Sequence, residues 1–314
     1  MTESSDAPAR AAQPSASQAA ESPHPAEGFH LPKADVSHIA RKWLDISYAS
    51  TSPRQKLDIY LPDSGEGPFP VLLNIHGGAF AMGNKRDVRL SPLLHGLPRG
   101  YAVVSVNYRL SGQAIFPAGL QDVKASIRWL RARASEYMLD AGRIVAWGNS
   151  SGANLAAMVA VTARENLFDD PTLGNERYPC HVRAAVDWFG PTDFLTMDGQ
   201  LAESGLGPCD HGQADSPESR YLGAQIGLIP DKVRLASPLT YVGEGMAPIL
   251  IQHGRIDPIV PFQQSIQLAE TIEARVGLQW FKLDILDEAA HNDPMFETDR
   301  NVDRVFEFIE RRLR

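Results

Sequence analysis

Apolar residues recur along this chain in two rhythms. Val71-Leu72-Leu73-Asn74-Ile75 and Tyr101-Ala102-Val103-Val104-Ser105-Val106-Asn107-Tyr108 are nearly continuous apolar runs, as expected of strands buried on both faces. Arg143 to Trp147, Val182 to Phe189 and Ile249 to Ile251 read the same way, the Val182 run as a core or an edge strand. Trp43 to Tyr48 and Lys56 to Leu61 alternate between apolar and polar positions instead, predicting an antiparallel pair of edge strands. Between the runs the period lengthens. Leu120, Val123, Ile127, Leu130 and Ala134 line one face of a helix expected from Pro117 to about Tyr137. Further helices are expected from Gly152 to about Arg164, from Pro261 to about Val276, and from Pro294 onward. The last carries the stripe Phe296, Val302, Val305, Phe306, Ile309 and Leu313, and a strand, Gln279 to Ile285, precedes it. Strands alternating with helices in this way predict an α/β fold, a mostly parallel sheet covered on both faces.

Two stretches break the rhythm. Residues 1–28 are rich in Ala, Ser, Pro, Gln and Glu, without aromatics or periodicity, and predict a disordered tail. The chain between Asp193 and Pro238 is rich in Gly, Asp, Ser and Pro. It predicts a long irregular insertion after the sixth strand, lid-like over residues 194–237, inside a single domain of residues 29–314.

With 314 residues, 43% of them hydrophobic and 22% charged, the chain can build a large core without staples. A net charge of −8 argues against a nucleic-acid partner. Cys180 and Cys209 make no disulfide framework; they are either two reduced thiols or one bridge. There is no apolar run of membrane-spanning length and no basic-then-apolar leader, so a cytoplasmic location is expected. No H-E-x-x-H, Cys/His cluster, G-x-G-x-x-G or P-loop appears, so neither metal nor cofactor is expected.

The chemistry concentrates at Gly148-Asn149-Ser150-Ser151-Gly152, a G-x-S-x-G pattern between a strand and a helix. A serine on so sharp a turn needs glycines two residues either side, where side chains would collide. The turn lifts the hydroxyl clear of the sheet at a helix N-terminus. A serine hydroxyl is a weak nucleophile until a base takes its proton, and the base needs an orienting carboxylate. Of nine histidines, His24, His30 and His38 lie in or near the tail. His95, His181 and His211 sit in loops without supporting context, and His76 and His253 precede glycines at strand ends, where they shape turns. His291 follows the last strand and precedes the last helix, beyond the carboxyl edge of the sheet where the serine also lies. Asp257 follows the preceding strand, one unit earlier; Asp287 and Asp293 are weaker candidates because they flank His291 in sequence. The order Ser150, Asp257, His291 is that of a hydrolase triad on a doubly wound sheet. His76-Gly77-Gly78-Ala79-Phe80 supplies a glycine loop whose Gly78 and Ala79 N–H groups, with that of Ser151, can receive an oxyanion.

Taken together, His76-Gly77-Gly78, Gly148-Asn149-Ser150-Ser151-Gly152, His253-Gly254-x-x-Asp257-x-x-Val260-Pro261 and Ala290-His291 resemble the α/β-hydrolase esterase/lipase superfamily. The nearest likeness is to the bacterial acetyl/feruloyl-esterase-like branch related to the hormone-sensitive-lipase group. Trp188 to Asp193 and Ser216 to Gly223 resemble that branch too. The resemblance implies a serine carboxylic-ester hydrolase acting on a small-molecule ester, with an arylformamidase or serine peptidase on the same parts as the alternative. A non-catalytic binding module and an interfacial lipase are further rivals. Ala79 stands where many relatives carry a third glycine, Asn149 where an acidic residue or glycine is frequent, and Ser151 where alanine or glycine is.

Overall fold

A computed structural model describes residues 31–162 and 167–314. The tail expected over residues 1–28 and the last turn of the helix expected to reach Arg164 lie outside the described residues. Eight strands form one sheet: β1 (Lys42–Ser47), β2 (Lys56–Tyr60), β3 (Phe69–Ile75), β4 (Ala102–Val106), β5 (Leu139–Asn149), β6 (Ala184–Trp188), β7 (Ile249–Gly254) and β8 (Phe281–Leu286). Their order is β1-β2-β4-β3-β5-β6-β7-β8, antiparallel through β1, β2 and β4 and parallel from β4 to β8. This is an α/β-hydrolase fold, with β5 well inside the sheet.

The helices are α1 (Ser91–Leu94), α2 (Ala118–Ala132), α3 (Ser151–Val161), α4 (Met197–Ser204), α5 (Pro217–Leu222), α6 (Pro230–Leu235), α7 (Gln263–Val276) and α8 (Asp299–Leu313). Successive side chains on a strand point to opposite faces, and the core divides accordingly. Val71, Leu73 and Ile75 of β3 join one cluster with Leu120 and Leu130 of α2, Leu155 of α3 and Leu268 of α7. Leu72, Val145 and Trp147 join the other with Leu93 of α1 and Val302, Val305, Phe306 and Ile309 of α8.

Two expectations need adjustment, and one left open is decided. Of the two strands expected at an edge, only β1 lies there; β2 is paired on both sides. Its alternation misleads because Asp58, fully buried, points not to water but to Lys85 at 3.1 Å and Arg86 at 2.5 Å. The Ala184 strand is interior, between β5 and β7. The stretch from Asp193 to Pro238 contains α4, α5 and α6. At six to eight residues each, these helices are too short to show a 3.6-residue period. The caps of α5 are readable: Ser216 Oγ accepts from the Ser219 N–H at 3.1 Å, Pro217 opens the helix, and Gly223 closes it in the left-handed region.

No helix among the described residues is long and apolar enough to cross a membrane. Cys180 is buried and Cys209 exposed, and both are free thiols.

Candidate active site

β5 ends at Asn149 and α3 begins at Ser151, so Ser150 makes the turn alone, at φ 53° and ψ −125°. That conformation is costly for a residue with a side chain and persists because its surroundings enforce it. Ser150 N–H donates to the Trp188 carbonyl at 2.9 Å. A Cβ at Gly148 would lie 2.1 Å from the Gly152 carbonyl oxygen, and one at Gly152 would lie 2.1 Å from that of Ile75. Both positions are closed to any larger residue.

The structure brings Ser150, His291 and Asp257 into one line. His291 Nε2 lies 3.0 Å from Ser150 Oγ, and His291 Nδ1 lies 2.6 Å from Asp257 Oδ2. Asp257 has no solvent exposure, and its Oδ1 accepts the N–H groups of Ile259 at 2.8 Å and Val260 at 2.9 Å. Burial by itself would raise its pKa. The His291 charge and hydrogen bonds from His253 and His291 outweigh burial and hold the carboxyl below the usual range. The Nδ1–H of His291 therefore points at an anion, which leaves Nε2 free to accept the serine proton. The Phe189 ring packs edge-on against the His291 ring at 4.8 Å. The two weaker acid candidates are engaged elsewhere. Asp287 pairs with Arg255 at 2.6 Å, and Asp293 caps the next turn through the Met295 N–H at 2.9 Å.

The loop from His76 to Ala79 lines the same cavity as Ser150. The Gly77 carbonyl accepts from His76 Nδ1 at 2.8 Å, and the Gly78 carbonyl accepts the N–H groups of Ala81 and Met82 at 3.0 and 2.9 Å. Each of these carbonyls shares a peptide plane with the next residue's N–H, so the Gly78 and Ala79 donors are fixed from behind. Asn149 Oδ1 accepts the Gly77 N–H at 3.1 Å and ties the loop to the elbow. His76 stacks on Tyr108 at 4.5 Å, and burial pushes its imidazole down to about 3, so it is neutral. Ala79 and Phe80 both adopt positive φ, at 53° and 59°, where glycine would be unstrained. Phe80 is held there by stacking on Tyr221 at 3.8 Å. Ser151 is buried, and only Ser150 of the two serines lines the cavity.

That cavity holds about 320 Å³, within the range of small-molecule sites. Ser150, His291 and the glycine loop line it, together with Pro208, His211 and Glu218 of the insertion. Leu31 lines it as well, its segment held by main-chain bonds between Pro32 and Val88 at 2.7 Å and between Ala34 and Arg86 at 2.9 Å. Sequence reasoning missed several of these residues. His211 carried no signal beyond its type, yet its Nδ1 sits 3.1 Å from Glu218 Oε2 and its Nε2 2.9 Å from the Ile259 carbonyl. Asn149 registered only as a departure from a pattern, and His253 only as a turn former.

A family model described as BD-FAE matches residues 57–272. Among characterised sequences, the chain is 31% identical over 223 residues to the probable carboxylic ester hydrolase LipM of Mycobacterium tuberculosis (strain ATCC 25618 / H37Rv), covering 70% of this chain and 49% of LipM. It is 33% identical to the esterase LipQ of the same strain, covering 75% and 53%. The chain thus spans about half the length of the curated relatives it matches. Among solved structures, a truncated form of a carbohydrate esterase from gut microbiota superposes with a TM-score of 0.78 at 29% identity, covering 90% of this chain and 99% of that one. A bifunctional GH43-CE protein of Bacteroides eggerthii also reaches 0.78, at 31% identity, covering 87% and 35%.

Proposed function

The chain belongs to the BD-FAE family, and from that premise we propose that it is a serine carboxylic-ester hydrolase with Ser150, His291 and Asp257 as its triad. The observation that carries the reading is the unbroken relay from Asp257 Oδ2 through His291 to Ser150 Oγ, at 2.6 and 3.0 Å. Ser150 Oγ attacks the ester carbonyl carbon as its proton passes to His291 Nε2. The carbonyl oxygen becomes an oxyanion and is received by the N–H groups of Gly78, Ala79 and Ser151. The tetrahedral species collapses, His291 protonates the departing alkoxide, and an acyl-serine remains. Water then attacks that ester with His291 as base, releasing the acid and restoring the hydroxyl. Asp257 stays ionised throughout, keeping the imidazole in one tautomer and stabilising its charged form.

Residues 29–314 act as one catalytic unit in this reading, with residues 194–237 as a lid-like wall that sizes the substrate. The cavity volume suits small to medium esters. Acetylated sugars are the class to try first, because the solved neighbour matched over 99% of its length is described as a carbohydrate esterase. The test is a set of p-nitrophenyl esters of rising acyl length, acetylated oligosaccharides, and matched amide and formamide substrates. Ester hydrolysis that vanishes in Ser150→Ala, with fluorophosphonate labelling at Ser150 alone, is the expected result. Faster turnover of the amide or formamide would reassign the reaction. No turnover and no labelling would overturn it.

A further inference from the structure

Behind the Asp257 carboxylate lies a second imidazole that the reaction itself does not use. His253, on β7, is fully buried. Its Nε2 lies 2.8 Å from the Val260 carbonyl oxygen. A carbonyl only accepts, so Nε2 carries a hydrogen. In the neutral ring Nδ1 then accepts the hydroxyl hydrogen of Ser265 on α7, at 2.7 Å. The same Nε2 atom lies 3.3 Å from Asp257 Oδ2, the oxygen that His291 contacts at 2.6 Å. Val260 meanwhile donates its own N–H to Asp257 Oδ1. One ring therefore bonds to the main chain of the loop that carries the carboxylate and lies against the carboxylate itself, and Ser265 of α7 contacts the ring.

We propose that His253 is a positioning residue of the relay, its Nε2–H bracing the Asp257 carboxylate so that Oδ2 is offered to His291 along one line. The inference rests on the triad reading above. Two other ionisable groups face this corner. His291 comes from the loop after β8, and Asp187 of β6 is buried within electrostatic reach of His253. The Phe189 ring packs edge-on to both imidazoles, its centroid 6.5 Å from that of His253 and 4.8 Å from that of His291. An N–H donor also makes a carboxylate less basic. Without it, Asp257 would hold the His291 proton more strongly and stabilise the imidazolium. The acid limb of the kcat/KM profile reports that ionisation in the free enzyme.

The test uses the full chain with His253→Leu, His253→Asn and His253→Gln. Glutamine can place an amide N–H near the native Nε2, whereas asparagine reaches only the Nδ1 position and leucine offers no donor. In His253→Leu and His253→Asn, kcat should fall roughly ten- to a hundredfold with KM nearly unchanged, the cost of a misaligned relay. Their acid limb should move up by on the order of half a pH unit. His253→Gln should recover most of kcat and the parental limb. If His253→Leu does not fold, His253→Asn carries the comparison. A folded Leu or Asn variant with the parental acid limb, or a Gln variant no better than Asn, overturns the proposal. The downfield proton resonance of His291 Nδ1–H, recorded without substrate, should shift in His253→Asn and return in His253→Gln. That readout separates a failed brace from a failed esterase assignment, which the parental hydrolysis assay decides alone.

Discussion

A methyl group at residue 152 has nowhere to go. The added carbon would meet the main-chain oxygens of Ile75 at 2.1 Å and His76 at 2.5 Å, on the strand end that carries the glycine loop. Gly152→Ala should therefore spoil the Ser150 turn and the proposed oxyanion donors together. Activity should fall at least a hundredfold and stability by on the order of 3 kcal/mol or more, read by initial rates and thermal unfolding. Gly199→Ala is the control: it sits in α4 with open space around it, and alanine is the better helix former by about 1 kcal/mol. Its activity should match the parent and its Tm should not drop. At this scale the meeting of Ser150, Asp257 and His291 was legible in the sequence, because backbone sterics and the proposed proton transfer call for those residue types at those places. The contacts of Asn149, His211 and His253 were not. Each acts through a partner 48 to 72 residues away or through a loop carbonyl, and residue type alone does not reveal such a partner.

Among the elements, the insertion is the one whose attachment carries a pH signature. His211 precedes α5 and has an acceptor at each ring nitrogen, Glu218 on one side and the Ile259 carbonyl on the other. Both can be satisfied only by the doubly protonated ring. Burial would depress the imidazole, but the hydrogen bond and charge of Glu218 outweigh it and raise the pKa to about 9. That is above the value of about 6.5 in an unfolded chain. The clasp therefore contributes fully below about pH 6.5 and fades as pH rises through about 9, by on the order of 3 kcal/mol at most. Glu218→Gln should be less stable than the parent near neutrality, and its Tm should decline less between pH 6.5 and 9.5. Parallel Tm curves for the two proteins would refute the clasp. Ile259 also donates to Asp257, so the clasp ends beside the relay. Long helices and buried strands were legible in advance because their apolar period repeats several times. The three short helices were not, since two turns offer too few positions to establish a period.

For the molecule as a whole, the alternation of strands and helices was enough to predict a parallel sheet with covered faces, while the insides of the layers defied the simple rule. On α2, Asp122, Lys124 and Arg128 are buried, although a solvent-facing side is where such residues are expected. Asp122 is paired with Arg109, and Lys124 lies 3.0 Å from Asp169. Hydropathy cannot distinguish a solvated charge from one with a distant counter-ion. Nor could it decide the state of the thiols. With Cys180 buried and Cys209 exposed and unlinked, one thiol should react quickly with a chromogenic disulfide in the native protein and two in denaturant. Dithiothreitol should leave Tm unchanged; a drop in Tm would mean a bridge had been present. The groups of the proposed triad come from far-flung parts of the chain, the serine and the histidine 141 positions apart and the histidine and the aspartate 34. No local fragment, however well formed its helices, holds a working relay. The first turnover of a refolding sample would therefore mark the arrival of the slowest, most distant contacts, making catalysis a timer for completion rather than for collapse.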